Sequence, residues 1–139
     1  QMEVREAKNG DQIRPGLVLI APGSQQMEVV RSANGGYAVR CFSGQKVSGH
    51  MPSVDVLFRS VAKNVAGNKI GIIMTGMGKD GAEGLLEMRK KGAFTIGQDK
   101  ASCVVYGMPM VAYNIGAVSI QAGCEQIPSV LLNHLKKSS

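Results

Sequence analysis

The 139-residue chain lacks several features that would assign it to particular protein classes. It has no Trp and only three Phe and three Tyr, so it offers little aromatic surface on which nucleic-acid bases could stack. No apolar run approaches the roughly 18 residues that a membrane span requires. We therefore predict no membrane insertion and no nucleic-acid binding.

Cysteine and histidine are also scarce. The three cysteines, Cys41, Cys103 and Cys124, have no CxxC spacing, and the chain has only two histidines. Such a set indicates neither a disulfide framework nor a zinc site. We predict reduced cysteines in a cytoplasmic protein, with no metal and no cofactor.

Positive charge exceeds negative charge along the chain. Sixteen Lys and Arg against ten Asp and Glu give a net charge of +6. The cations are dispersed, and the runs at 89–91 and 136–137 fall at predicted helix ends, where cations complement the helix dipole. This balance permits an acidic protein partner but does not by itself identify one.

The first part of the sequence indicates β structure. The apolar run 16–22 is bounded by Pro-Gly on both sides and predicts a short buried strand. Apolar residues alternate with polar ones on either side of Asn34-Gly35, which predicts an antiparallel hairpin.

From Ser53 the pattern alternates between helix and strand. Ser53 is a predicted N-cap, and an apolar stripe follows it with helical spacing. The later predicted elements are strands at 70–75, 93–96 and 117–120 and helices at 82–91, 109–115 and 127–135. The predicted fold is one α/β domain over 1–139, a three-layer sandwich with a mainly parallel sheet and an appended hairpin.

The turn between the second helix and its preceding strand has two interpretations. Gly76-x-Gly78-x-x-Gly81 matches a dinucleotide-binding pattern, with Asp99 after the next strand as a ribose ligand. Alternatively, the glycines permit a tight strand-to-helix connection and Asp80 acts as a cap. The pattern alone does not choose between a nucleotide-binding module and this structural role.

Four blocks together resemble the catalytic domain of the chemotaxis protein-glutamate methylesterases (CheB). The resemblance runs from about Glu3 to the closing helix, and its two longest blocks are quite specific. The blocks are RPG…APG at 14–23, HMPSVD at 50–55, MTGMGKDGA at 74–82 and ASCVVYGMP at 101–109.

The resemblance implies a serine esterase on a parallel α/β sheet. The family hydrolyses glutamyl methyl esters on the cytoplasmic helices of chemoreceptors, releasing methanol, and often deamidates receptor glutamines. Its chemistry uses a Ser nucleophile, a His base, an Asp that orients the His, and backbone N–H groups that hold the oxyanion. Asp80 matches the triad aspartate, and the backbone N–H of Met77 matches an oxyanion-hole donor.

The sequence departs from the family in one respect. The family's nucleophile lies in a Gly-x-Ser-x-Gly-Gly turn, and Ser24, Ser48 and Ser102 all lack the flanking glycines. His50 aligns with a later family block than the one that carries the catalytic His. We therefore expect an N-terminally truncated catalytic domain without its receiver domain, inactive by itself and prone to self-association through the exposed surface. A non-catalytic binding protein of the receptor array is the remaining alternative.

The other chemically capable residues have ordinary structural interpretations. We expect His50 to be exposed in a polar loop and His134 to be partly buried on the last helix. We expect Cys103 to be a small buried side chain, and Asp99 to cap the loop that follows its strand.

Overall fold

The structure is a computed structural model that describes residues 1–138. It contains seven strands and four helices in these described residues. In chain order they are β1 Glu3–Glu6, β2 Leu17–Ile20, β3 Gln26–Arg31, β4 Tyr37–Phe42, α1 Val54–Asn64, β5 Ile70–Ile73, α2 Ala82–Lys90, β6 Phe94–Gln98, α3 Met108–Asn114, β7 Ile120–Ala122 and α4 Ile127–Ser138.

The strands form two parallel groups and one antiparallel pair. β5, β6 and β7 make a parallel sheet in that order, and β1 pairs in parallel with β2. β3 and β4 form the antiparallel hairpin. The predicted α/β class, with parallel strands and an appended hairpin, is confirmed.

Helices cover both faces of the β5–β7 sheet. On one face, Ile73 packs with Leu85 and Met88 of α2 in a cluster that α1 and α3 also join. On the other face, Ile96 packs with Ile127 of α4. A strand covered on both sides needs apolar residues at successive positions, which explains the unbroken apolar run of β5.

The predicted buried strand at 16–22 is only half correct. β2 spans Leu17–Ile20, and its side chains alternate between partly buried and exposed. Leu19 packs on the hairpin core, whereas Val18 and Ile20 on the opposite face are 37% and 55% exposed. Burial on one face only is the physical reason, because nothing in residues 1–138 covers the other.

The last strand begins three residues later than predicted. β7 spans Ile120–Ala122 instead of 117–120. Gly116 has a positive φ of 84°, and the Ala117 N–H donates to the Ala112 carbonyl at 2.9 Å. Such a bond closes the carboxyl end of a helix, so the apolar residues at 117–118 complete α3 instead of starting a strand.

Helices α1 and α2 approach each other closely, and this contact positions the candidate site. A Cβ atom on Gly84 would lie 2.8 Å from the Cβ of Phe58. The absence of a side chain at Gly84 therefore lets the two helices pack with their amino-terminal ends side by side.

The described residues contain neither a helix suited to cross a membrane nor a cluster suited to hold a metal ion. Within residues 1–138, no helix is both long enough and apolar enough to cross a membrane. In the same part of the chain, no group of three or more His, Cys, Asp or Glu side chains is arranged to hold a metal ion.

Candidate active site

Asp80 lies in the turn after β5 and is almost completely buried, with 3% of its surface exposed. The Oδ1 atom accepts hydrogen bonds from the Ser53 hydroxyl at 2.8 Å and from the Asp55 N–H at 3.1 Å. The Oδ2 atom accepts the Val54 N–H at 2.7 Å. The carboxylate therefore caps the amino end of α1, where free N–H groups and the helix dipole stabilise negative charge.

This arrangement differs from the cap that the sequence suggested. The pattern placed Asp80 as a cap of the helix that follows it, but the N-cap residue of α2 is Gly81, and no side chain caps there. The amino end of α2 is instead bonded by Asp55, whose Oδ1 accepts the Gly84 N–H at 2.8 Å. A positive φ of 93° at Gly81 turns the chain so that Asp80 faces α1.

A second buried side chain supports this cap. Gln26 on β3, 1% exposed, accepts the Ser53 N–H at 2.8 Å through its Oε1 atom. Its Nε2 atom donates to the Gln45 and His50 carbonyls. Gln26 thus fixes the residue whose hydroxyl bonds Asp80. Sequence reasoning missed it, since a glutamine at the start of a strand carries no distinctive pattern.

Met77 lies at the tip of the same turn. Its side chain is 77% exposed, and within residues 1–138 its backbone N–H has no acceptor. The turn itself is fixed, because the Gly76 N–H donates to the Val105 carbonyl and the Gly76 carbonyl accepts the Met108 N–H. A rigid turn with an unpaired N–H is what an oxyanion donor requires.

Gly107 supports the turn from behind. A Cβ atom at this position would lie 2.6 Å from the Gly76 carbonyl oxygen and 3.0 Å from the Gly78 nitrogen. Backbone therefore packs directly on backbone between the two motif blocks that contain these glycines. Only glycine allows this approach without moving the turn.

A buried glutamine ties the end of β5 to the loop after β6. The Gln98 side chain, 2% exposed, accepts the Thr75 N–H at 2.7 Å and donates to the Ser102 carbonyl at 2.9 Å. The Thr75 hydroxyl accepts the Val105 N–H at 2.9 Å. This network holds the two loops that flank Met77.

Asp99 has the loop-capping geometry expected of it. Its Oδ1 atom accepts both the N–H and the hydroxyl of Ser102, at 2.9 and 2.7 Å. The cavity that Asp99 lines includes none of the three turn glycines. Gly81 also faces Val54, which a Cβ atom would approach to 2.7 Å. These contacts give Asp99 and Gly81 packing roles and supply no support for the nucleotide interpretation.

Within residues 1–138, the two histidines and Cys103 have no contact that indicates a catalytic role. His50 is exposed, and His134 stacks on the Phe94 ring at 3.9 Å. Cys103 is only partly buried, in contrast to the prediction. Its partial burial still raises the pKa of the thiol, although a hydrogen bond with Thr75 opposes this effect. A thiol with a raised pKa is a poor nucleophile at neutral pH.

The fold is that of an α/β protein whose candidate site lies at the carboxyl end of a parallel strand. A parallel α/β sheet gathers functional loops at the carboxyl ends of its strands, and here the β5 end carries a buried carboxylate beside an unpaired backbone N–H. An acidic group and a fixed N–H donor are two components of an acyl-transfer site. The described residues do not supply a Ser–His pair beside them.

The family model described as CheB methylesterase matches residues 1–131, which is most of the chain. The chain therefore belongs to the CheB methylesterase family. The resemblance drawn from the four sequence blocks is thereby confirmed.

Individual relatives agree with this assignment. The chain is 62% identical over 120 residues to the Syntrophomonas wolfei protein-glutamate methylesterase/protein-glutamine glutaminase 2, covering 86% of this chain and 35% of that protein. It is 53% identical over 137 residues to the Shewanella oneidensis protein-glutamate methylesterase/protein-glutamine glutaminase 3. That match covers 99% of this chain and 38% of the Shewanella protein. The chain thus spans about a third of these relatives.

A solved structure shows the same fold. The crystal structure of the Thermotoga maritima CheB methylesterase catalytic domain superposes with a TM-score of 0.88 at 32% sequence identity. The match covers 93% of this chain and 68% of that one.

Proposed function

We propose that these residues form the acid and oxyanion part of a protein-glutamate methylesterase that acts on the cytoplasmic helices of chemoreceptors. Asp80 is the carboxylate of the triad, and the N–H of Met77 donates to the oxyanion. The observation that carries this proposal is the Asp80 carboxylate, held by three donors at the end of β5.

The hydrogen-bond count of Asp80 leaves room for a histidine. An ionised carboxylate offers about four lone-pair positions, and α1 with its cap residue fills three of them. Oδ2 has one position left, which suits the Nδ1–H of an imidazole. A carboxylate fixed in this way orients the ring and stabilises the imidazolium that forms during the reaction.

The proposed reaction is acyl transfer in two steps. A serine hydroxyl attacks the glutamyl ester carbonyl while the histidine takes its proton, and the carbonyl oxygen becomes an oxyanion that the Met77 N–H binds. The histidine then protonates the leaving methoxide, and methanol departs from the acyl-enzyme. Water repeats the sequence and regenerates the serine. Serine and histidine would both come from outside residues 1–138.

Charge supports an acidic substrate. The chain carries a net charge of +6, and opposite charge on a glutamate-rich receptor helix would speed encounter more than it would raise affinity.

A chimera tests the proposal. In the Syntrophomonas wolfei relative, the segment that aligns with this chain would be exchanged for the sequence of this chain. Methanol release from methylated receptor would then be measured. We expect the chimera to be active and the 139-residue chain alone to be inactive. Asp80→Asn in the chimera should lower kcat by roughly 10⁴-fold, as a misoriented histidine does in serine esterase chemistry.

Asp11→Asn serves as the matched control, since it makes the same change of charge in the connection between β1 and β2, where Asp11 bonds Arg5 and the Lys8 N–H. An Asp80→Asn chimera with full activity would refute the assignment of Asp80. Activity of the isolated chain would refute the proposed division of the triad.

A further inference from the structure

A basic concavity lies at the end of the domain opposite the candidate active site. It has a volume of about 300 Å³ and lies where α1 and α2 end and β5 begins. Four cations from four different segments line it. They are Arg31, Lys63, Lys69 and Lys91.

These four cations have no anionic partner in the described part of the chain. The ion pairs that join one described residue to another use Arg5, Arg14, Arg40 or Arg59. No Asp or Glu lines the concavity. Four like charges around one cavity give it a positive potential that attracts an anion.

The partial negative charges at the carboxyl ends of α1 and α2 do not balance the four cations. Each helix carboxyl end carries the equivalent of about half a negative charge, so α1 and α2 together supply roughly one. Four formal positive charges exceed this several-fold. An excess of positive charge remains at the concavity after both helix ends are complemented.

The Lys69 ammonium donates to the Gly67 carbonyl at 3.2 Å, and backbone groups add further donors to the concavity. Within residues 1–138, the N–H groups of Gly67 and Lys69 have no acceptor, and both residues line the concavity. Gly67 has a positive φ of 82°, a conformation that occurs where successive N–H groups form an anion-binding nest. The Arg31 Nε donates to the Asn64 carbonyl, which fixes the guanidinium and leaves its remaining N–H groups available.

We propose that this concavity binds a compact anion of the pyrophosphate or triphosphate class. Convergent cations around one cavity suit a small group of high charge better than an extended acidic chain. Arginine pairs with phosphate oxygens through two parallel bonds, and lysines add point charges. The site is separate from Asp80, because α1 and α2 run their full length between them. It therefore does not depend on the proposed esterase function.

Titration of the full 139-residue chain with inorganic triphosphate tests the proposal. We expect saturable binding by calorimetry, together with shifts of the Gly67 and Lys69 amide signals in ¹H–¹⁵N spectra. Lys63→Gln combined with Lys91→Gln should raise Kd by at least roughly tenfold, because charge-assisted bonds of this kind are each worth about that factor. The control pair is Lys46→Gln with Lys100→Gln, which removes the same charge from exposed positions outside the concavity.

The two sources of such an anion are distinguished by a parallel titration with ATP. Binding equal to that of triphosphate identifies the phosphate chain alone as the ligand, and tighter binding identifies a nucleotide. The proposal is overturned if the two lysine pairs weaken binding equally, because a diffuse field would then be responsible. It is also overturned if the Gly67 and Lys69 signals do not move, or if a glutamate-rich peptide binds there more tightly than triphosphate.

Discussion

Asp55 and Asp80 cap each other's helices. Asp80, which precedes α2, accepts the Asp55 N–H at 3.1 Å at the start of α1. Asp55 in turn accepts the N–H of Gly84 at 2.8 Å in the first turn of α2. Both carboxylates are buried, with 3% and 4% of their surfaces exposed. The candidate triad carboxylate is therefore also a structural part of the contact between the two helices.

Replacement of Asp80 should consequently affect stability as well as chemistry. In Asp80→Asn, one of the two carboxylate oxygens becomes an NH2 group. That group cannot accept, so at least one donor at the start of α1 loses its hydrogen bond. We expect a loss of about 1–3 kcal/mol in the free energy of unfolding, measured by urea denaturation of the 139-residue chain. Ser53→Ala removes one donor to Asp80 and the 3.4 Å acceptor of the Val56 N–H, and it should cost about 1 kcal/mol. Equal stability of Asp80→Asn and the unmodified chain would contradict the buried cap.

Because α1 and α2 pack closely at Gly84, alanine at this position should destabilise the chain. Gly→Ala inside a helix normally stabilises by about 1 kcal/mol. At Gly84, however, the added Cβ would lie 2.8 Å from the Phe58 Cβ and 3.0 Å from Asp55 Oδ1. Gly84→Ala should therefore destabilise the chain by about 1–3 kcal/mol. Gly23→Ala is the control, because nothing lies within 4 Å of its Cβ position, and it should be neutral. A more stable Gly84→Ala chain would show that the helices are not in close contact.

The turn that presents the Met77 N–H should be sensitive to Gly107. Gly107→Ala would place a Cβ 2.6 Å from the Gly76 oxygen, and the backbone at 76–78 would have to move. We expect a shift of the Met77 amide signal in ¹H–¹⁵N spectra and, in the active chimera, a loss of kcat of at least roughly 10²-fold, as for a lost oxyanion donor. KM should change little. Normal kcat with an unshifted Met77 signal would rule out this support of the turn.

Acid should loosen β1 before it unfolds the rest of the domain. The Arg5 guanidinium, bonded to Asp11 at 2.6 Å, lowers the pKa of Asp11, and the Lys8 N–H lowers it further. A carboxylate with a lowered folded pKa contributes stability above its unfolded value of about 3.9, and this contribution is lost as the pH falls through the folded pKa. Hydrogen exchange should show faster opening of β1 below about pH 4. Asp11→Asn should reduce this pH dependence without removing it, because hydrogen bonds from Arg14 and Arg5 also lower the pKa of Glu3 on β1. Unchanged dependence in that variant would assign it to other groups.

The uncovered face of β1 and β2 predicts self-association of the isolated chain. Val4, Val18 and Ile20 lie on this face and are 58%, 37% and 55% exposed. Each strand also leaves one edge unpaired, which favours association. Sedimentation velocity should show oligomers, and Val18→Thr with Ile20→Thr should shift them toward monomer. Leu132→Gln, at a residue 56% exposed on α4, should not. A monomeric unmodified chain would refute the prediction.

Local sequence determined much of this protein. The Asn34-Gly35 turn specified the hairpin, the 3.6-residue spacing after Ser53 specified α1, and the unbroken apolar run at 70–73 specified a strand covered on both faces. In each case the signal lies in residues that are neighbours in sequence. The motif blocks around Asp80 and Met77 also identified the family, because their length made a chance match improbable.

Tertiary structure decided what the candidate residues contact. Asp80 precedes α2 in sequence, yet it caps α1, 25 residues earlier at Asp55, because the positive φ at Gly81 and the close packing at Gly84 bring the two amino ends together. Gln26 reaches Ser53 across 27 residues, and Gly107 backs the turn at 76–78 from a different motif block. The exposed side of β2 likewise depends on which elements pack against it. Contacts of this kind depend on how helices and strands pack against each other, and the local periodicity of the sequence does not predict them.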